Sequence, residues 1–358
     1  MARVAFYTPM KSPDSPVPSG DREMARNLMQ AIGAQGDFVD LVSRLRIYDK
    51  HGDAQLQYSL RAEAEAEAQR LIRDMPHDTA LWVTYHNYYK APDLLGPLVC
   101  KARNIPYVQL ESTRASSRLH GPWAGFAKSA HDACDMAQVI FYHTANDLIT
   151  LERDRCGSQT LAELPPFLPI SDLPPASGCD GPMLAVGMMR HGDKLASYKL
   201  LAQALTHLTG EWALNIVGDG PALADVRTLM APFGSKVRFL GQLGRDALQT
   251  HYGAASLLVW PGVNEAYGMI YLEAQTSGVP VVAQDRPGVR DVLTPSDYPP
   301  VDAGPEGLAA KMQALLPDLP LRLSLGAQAR AHVSQRHLMP AATKRFWQVT
   351  RPLIAGTA

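Results

Sequence analysis

Residues 259–282 read VWPGVNEAYGMIYLEAQTSGVPVV. A short apolar strand, Leu257–Trp260, ends here, and Pro261 and Gly262 turn the chain. Glu265 follows in the loop, and the spacing predicts a helix opening near Tyr267 or Gly268. Glu273 then falls about one and a half turns into that helix. A second apolar run, Val279–Ala283, comes after it. The unit is strand, glycine-containing turn, helix, strand, with a carboxylate on each side of the helix start.

The same rhythm extends in both directions. Upstream, Met183–Val186, a helix over Leu195–Leu208, Ala213–Val217 and Val237–Leu240 continue it. Further back, Val4–Tyr7, Phe38–Val42, Leu81–Thr84, Tyr107–Leu110 and Val139–Tyr142 read as buried strands. Asp21 is the predicted N-cap of a helix whose Met24, Leu28 and Ile32 share a face. Short apolar strands separated by crossover-length helices imply parallel sheets covered on both faces. The alternation breaks at Pro165–Gly181, where Pro165, Pro166, Pro169, Pro174, Pro175, Gly178 and Gly181 crowd together. The reading is therefore α/β with two Rossmann-like βαβ domains. They cover 1–166 and 182–340, joined by a linker over 167–181. A C-terminal helix over 341–358, with Phe346 and Trp347, is free to cross back to the first domain.

Composition agrees with this reading. Two domains suit 358 residues, and a hydrophobic fraction of 46% with 19% charged residues suits a large core. A net charge of -1 gives no bulk electrostatic case for nucleic acid. Arg61–Arg73, rich in Ala and Glu, reads as a helix with a solvated face. The four cysteines, Cys100, Cys134, Cys156 and Cys179, form no Cys-x-x-Cys pair and read as reduced thiols of a cytoplasmic protein. No apolar run approaches the ~20 residues of a membrane span. Peripheral membrane contact stays open through Trp123, Phe126 and Lys128, for which packing is the competing reading. His143, His191 and His251 lack metal-ligand spacing, and no Asp-x-Asp triplet occurs, so no metal or other cofactor is expected.

The chemistry follows from the residue types. Backbone N–H groups of Tyr267, Gly268 and Met269, with Ala266 just before them, form a helix start that attracts a diphosphate. Gly268 permits close approach. Glu273 suits the two hydroxyls of a ribose, and Glu265 suits hydroxyls of a donor sugar. Arg190 and Lys194, in the GMMRHGDK stretch after Met183–Val186, lie at a carboxyl edge of the sheet, where open α/β folds bind ligands. They supply cations for the phosphates. Either a glutamate pair or a loop cation alone reads as ordinary surface; their joint occurrence carries the reading.

Asn264–Ala274 (NEAYGMIYLEA), Gly278–Val282 (GVPVV) and Pro287–Val292 together resemble the donor site of retaining GT-B glycosyltransferases of family 4. Ile216–Pro221 (IVGDGP) and Val237–Gly241 (VRFLG) are similar to that family's next strands and turns, with Gly218 and Gly241 beside the donor. The resemblance covers nearly all of 183–293. It implies two domains facing a cleft and metal-independent transfer of a sugar, with retention, from a UDP-, GDP- or ADP-sugar to an acceptor hydroxyl. Glu265, Arg190 and Lys194 then take the catalytic roles.

In the first half the resemblance is looser. Ser19-Gly20-Asp21 stands where relatives carry a glycine loop near the donor phosphates. Met188 replaces a common Arg, and Leu195 replaces the Gly that usually follows the lysine. Glu111-Ser112 stand where many relatives have a His near the reacting sugar. Glu111 reads as its substitute, as a contact for a cationic or hydroxylated acceptor, or as a hydrogen-bonded loop carboxylate. His86, within the run Tyr85–Tyr89, marks an acceptor pocket or strand-end packing. Other readings of the chain are a nucleotide-sugar epimerase, a sugar phosphorylase, or a binder without catalysis. A dinucleotide oxidoreductase is disfavoured, since no Gly-x-Gly-x-x-Gly follows Val4–Tyr7.

Overall fold

The computed structural model describes residues 1–17 and 19–355. The chain forms two compact units, 1–165 with the C-terminal segment from Met339, and 166–338.

The first unit contains β1 (Arg3–Tyr7), α1 (Gly20–Gly33), β2 (Phe38–Leu41), α2 (Ala54–Asp74), β3 (Thr79–Tyr85), α3 (Gly96–Arg103), β4 (Tyr107–Leu110), α4 (Ala124–Met136), β5 (Val139–Tyr142), α5 (Ala145–Arg153) and β6 (Thr160–Glu163). Its six strands run in the order β2-β1-β3-β4-β5-β6, and the pairings are parallel. The central strands β3 and β4 are buried along nearly their whole length because helices cover both faces. β2 departs from the buried strand read in the sequence: it is the edge strand, and Phe38 is exposed.

The predicted cap of α1 also shifts. Ser19, not Asp21, is the N-cap, its hydroxyl accepting the Arg22 N–H at 3.2 Å. Asp21 falls in the first turn and is released for another partner. Met24, Leu28 and Ile32 pack inward together.

The second unit contains β7 (Met183–Val186), α6 (Asp193–Thr206), β8 (Leu214–Val217), α7 (Leu223–Met230), β9 (Val237–Gly241), α8 (Arg245–Ala254), β10 (Leu258–Val259), α9 (Met269–Thr276), β11 (Val281–Val282), α10 (Gly304–Leu315) and α11 (Leu319–Arg336). Its five strands are parallel in the order β11-β10-β7-β8-β9.

The proline-rich segment after Pro165 is folded onto this second unit. Phe167 is fully buried, Leu168 bridges Leu338, and the Ser177 hydroxyl donates to Ala255 O at 2.8 Å. Prolines forbid strand or helix here but not packing. The final helix, α12 (Met339–Ala355), belongs to the first unit. There Thr343 and Trp347 donate to the last carbonyls of α1, Ala31 and Ile32, and Phe346 stacks on Phe141. These bonds satisfy carbonyls that a helix end leaves open.

Candidate active site

Each sheet has one place where neighbouring connections leave in opposite directions. In open α/β sheets such a switch point opens a crevice beyond the carboxyl ends of the strands. In the second unit it lies between β7 and β10, because β8 continues to one side of β7 and β10 starts the other.

Two loops meet at that point. β7 ends at Val186, and Gly187 follows. A Cβ at Gly187 would stand 2.6 Å from the Trp260 ring, so only glycine lets this backbone pass beside the indole. Tyr198 from α6 meets the same ring edge-on at 4.9 Å and donates to Gly187 O at 2.7 Å. Trp260 Nε1 donates to Glu265 Oε1 at 2.9 Å, and Lys194 Nζ pairs with that same oxygen. Asn264 donates to Asp193 Oδ1 at 2.9 Å, and Val263 N–H to Ser197 Oγ at 3.1 Å. The loop holding Glu265 is thus tied to the first turn of α6 at several points, which fixes the carboxylate while leaving its second oxygen open.

The helix start differs from the sequence reading. Gly268 adopts a left-handed conformation (φ 52°, ψ 78°), which no helix continues, so α9 opens at Met269. Tyr267 and Gly268 precede it. The first bond of the turn runs from Tyr271 N–H to Gly268 O at 2.9 Å, so the Met269 and Ile270 N–H groups stand ahead of the hydrogen-bond ladder. Ala266 is exposed beside them.

Glu273 lies within α9. Its Oε2 accepts from the hydroxyl of the fully buried Tyr252 at 2.9 Å. Burial raises the Glu273 carboxyl, while the Tyr252 hydrogen bond and the charge of Arg245 pull it back down. One carboxylate oxygen is thereby oriented and the other is left for a ligand.

Arg190 is exposed, and its guanidinium has no hydrogen bond or ion pair among the described residues. Arg190 is thus the open cation of the pair, whereas Lys194 is engaged by Glu265. Gly218 donates its N–H to Gly241 O at 2.8 Å, joining the ends of β8 and β9 one strand further out. Sequence reasoning missed Tyr252, Trp260, Asn264 and Ser197. Their roles depend on which loops meet, and no spacing along the chain signals that.

In the first unit the switch point lies between β1 and β3. Here Thr8, Asp21, His86, Glu111 and Ser112 follow strand ends or open α1. His86 Nδ1 stands 3.6 Å from Asp21 Oδ1, and Glu111 Oε2 stands 3.8 Å from His143 Nε2. Burial pushes the His86 ring down, but Asp21, Glu111 and Asp147 together outweigh it and hold the ring above its ordinary value. The nearby His86 ring in turn lowers the Asp21 carboxyl, outweighing the effect of burial. His86 (φ 70°) and Glu111 (φ 54°) both adopt left-handed backbone, which side chains of this size rarely do. Among the described residues, the buried hydroxyls of Thr8 and Ser112 have no hydrogen-bond partner. Gly20, predicted beside the donor, opens α1 in open space and belongs to this unit.

The surface read from Trp123, Phe126 and Lys128 is not formed. Phe126 is fully buried, and Lys128 is paired with Asp132 at 2.8 Å. Among the described residues, no helix is long and apolar enough to cross a membrane, and no three His, Cys, Asp or Glu side chains converge as metal ligands.

Residues 182–318, most of the second unit, match the sequence profile of the family described as glycosyl transferases, group 1. The second unit is a group 1 glycosyltransferase domain. The Lys194–Glu265–Trp260 cluster and the start of α9 all fall inside this glycosyltransferase domain. A sulfoquinovosyl transferase of Arabidopsis thaliana is 31% identical over 156 residues, which are 41% of this chain and 29% of that protein. The match thus spans less than a third of that relative's own length. A D-inositol 3-phosphate glycosyltransferase of Corynebacterium diphtheriae is 25% identical over 351 residues, 87% of this chain and 81% of that one. The Anabaena protein HepE, solved in complex with UDP, superposes with a TM-score of 0.71 over 98% of this chain and 100% of its own, at 15% identity. The glycosyltransferase domain is therefore one half of a GT-B fold.

Proposed function

We propose that the protein transfers a sugar from a nucleotide-sugar donor to an acceptor hydroxyl, with retention of configuration and without a divalent metal. The observation that carries this reading is the convergence, at one switch point, of the fixed Glu265 carboxylate, the open Arg190 guanidinium and the amide-rich start of α9, with Glu273 inside that helix. The donor diphosphate takes the Met269 and Ile270 N–H groups and Arg190. The open oxygen of Glu273 accepts from the ribose, and that of Glu265 from hydroxyls of the sugar. The nucleoside base is that of UDP, GDP or ADP.

In the reaction the bond from the anomeric carbon to the diphosphate oxygen breaks, and its electron pair leaves with the diphosphate. Arg190 and the helix start stabilise that growing charge, with Lys194 beside them and still paired to the fixed Glu265. The acceptor oxygen bonds to the anomeric carbon from the face the leaving group vacates. Its proton passes to the departing phosphate oxygen, so no protein nucleophile is required. His86, Glu111 and Ser112 receive the acceptor in the first unit. All four cysteines are free thiols, which suits a cytoplasmic site of action.

The test is a thermal-shift panel with UDP, GDP, ADP and their sugars, followed by transfer assays on the donor that binds. One nucleotide raises the unfolding temperature. Transfer persists in EDTA, and Glu265→Ala and Arg190→Ala each slow it about 10²–10³-fold without loss of fold. Full activity in both variants overturns the reading.

A further inference from the structure

Beyond His86, the first unit carries a chain of aromatic rings leading away from the switch point. His86 to Tyr88 is 5.0 Å between ring centres, Tyr88 to Tyr89 is 5.6 Å, and Tyr89 to Trp123 is 5.7 Å. At the far end, two cations lie over the last two rings. Lys90 Nζ is 5.6 Å from the Tyr89 centre and 5.5 Å from that of Trp123. The Arg118 guanidinium is 5.2 Å and 5.6 Å from the same two centres.

These cations are held differently from the ion-paired ones in this unit. Arg3, Arg22, Arg44, Arg70, Arg114, Lys128, Arg153 and Arg351 each pair with a carboxylate. Among the described residues, Lys90 and Arg118 have neither a carboxylate partner nor a side-chain hydrogen bond. The nearby acid Asp49 is turned away, toward the Gln57 amide and the N–H groups of His51 and Gly52. An aromatic face attracts a cation through its quadrupole but carries no charge to cancel it. The rings are themselves anchored, with Trp123 Nε1 donating to Asp49 O at 3.2 Å. The result is two localised positive charges with every N–H donor still available. Both residues follow carboxyl ends of strands, Lys90 after β3 and Arg118 after β4, the edge where ligands of such sheets bind.

We propose that Lys90 and Arg118 form an oxyanion subsite for the acceptor, so that the acceptor carries a phosphate-like group three ring-to-ring steps from His86. This rests on the reading that the first unit receives the acceptor. Arg118 offers a fork to two oxygens and Lys90 a mobile point charge. The phosphate belongs either to a free sugar phosphate or to a lipid headgroup, and the test separates these sources.

Calorimetric titration of the full chain with glucose 6-phosphate and with glucose forms one arm. Co-sedimentation with phosphatidylcholine vesicles, with and without phosphatidylinositol, forms the other. Both use wild type and the double variant Lys90→Gln/Arg118→Gln. Wild type is expected to bind glucose 6-phosphate at least about tenfold more tightly than glucose, or to sediment only with the anionic vesicles, and the double variant to lose that preference. Preference in the first arm alone assigns a soluble acceptor; retention on anionic vesicles assigns a lipid-borne one. No preference for the anion in either arm, or a preference that survives in the double variant, overturns the proposal. Stabilisation of the double variant by the nucleotide that stabilises wild type verifies its fold. Loss of that stabilisation in wild type itself would instead count against the donor reading.

Discussion

The two switch points are built on opposite plans. At the edge of the second unit, the two candidate-site carboxylates already have protein partners: Glu265 has Lys194 and Trp260, and Glu273 has Tyr252. At the edge of the first unit, the hydroxyls of Thr8 and Ser112 are buried without a partner among the described residues, and His86 and Glu111 stand at ion-pair distances rather than in short hydrogen bonds. A buried polar group without a partner costs stability, so a fold keeps one where a ligand completes it. On the proposed function, the donor edge is preorganised and the acceptor edge is completed by its substrate. That contrast matches the chemistry proposed for each. A diphosphate leaving group needs dipoles fixed before the charge develops, whereas acceptor hydroxyls supply the missing hydrogen bonds themselves.

The largest expected effect that sharpens this contrast is catalytic. Glu265→Ala lowers the transfer rate by about 10²–10³-fold. Glu111→Ala acts instead on the acceptor, raising its KM and leaving nucleotide affinity unchanged; steady-state kinetics with each substrate varied separates the two. Equal losses in both variants would erase the distinction between the edges.

The next effect is on stability against pH. Burial holds His337, in the second unit, down at about 4, against an ordinary 6.5, with its Nδ1 on Pro166 O at 2.7 Å. Between those values the unfolded chain binds the proton that the native ring refuses. Stability therefore falls as pH drops through that window, by on the order of 3 kcal/mol at its foot. His86 has the opposite sign. Its raised value contributes stability below its unfolded pKa, and that contribution is lost as pH rises through the folded one. Denaturant unfolding of His337→Gln and His86→Asn across pH 4–9 should flatten opposite ends of the profile.

Smaller still is Tyr252→Phe, which removes the hydroxyl that orients Glu273. It costs about 1–2 kcal/mol of stability, and nucleotide affinity weakens with it. The smallest effect belongs to Ser112→Ala, which removes a group without a partner. Stability stays within about 0.5 kcal/mol of wild type, or rises, while acceptor affinity drops. A large stability loss there would show that Ser112 has a structural partner after all.

The same contrast explains what could be read from the sequence. The second unit was legible because its site is local: Glu265, the glycine turn and Glu273 sit in one unbroken stretch, and strand-turn-helix order places them together. The one-residue delay in the start of α9 escaped, because Gly268 gives no sign of which side of φ it will take. The first unit gathers its site from the ends of four elements, so Asp21 read as a cap until Ser19 was seen to hold that place. The edge position of β2 and the packing of the proline-rich segment were illegible for the same reason, since each is decided by neighbours distant in sequence. The ring-held pair Lys90 and Arg118 left no motif, because geometry rather than spacing brings the two together.

The central claim is that a nucleoside diphosphate seats on the opening turn of α9. Backbone amide exchange of the full chain, followed with and without the nucleotide that stabilises it, tests this directly. Exchange at Met269 and Ile270 should slow by at least about tenfold on binding, because those N–H groups pass from solvent to phosphate oxygens, with the amides around His86 and Glu111 unaffected. Unchanged exchange at Met269 and Ile270 in a chain saturated with nucleotide would contradict the account.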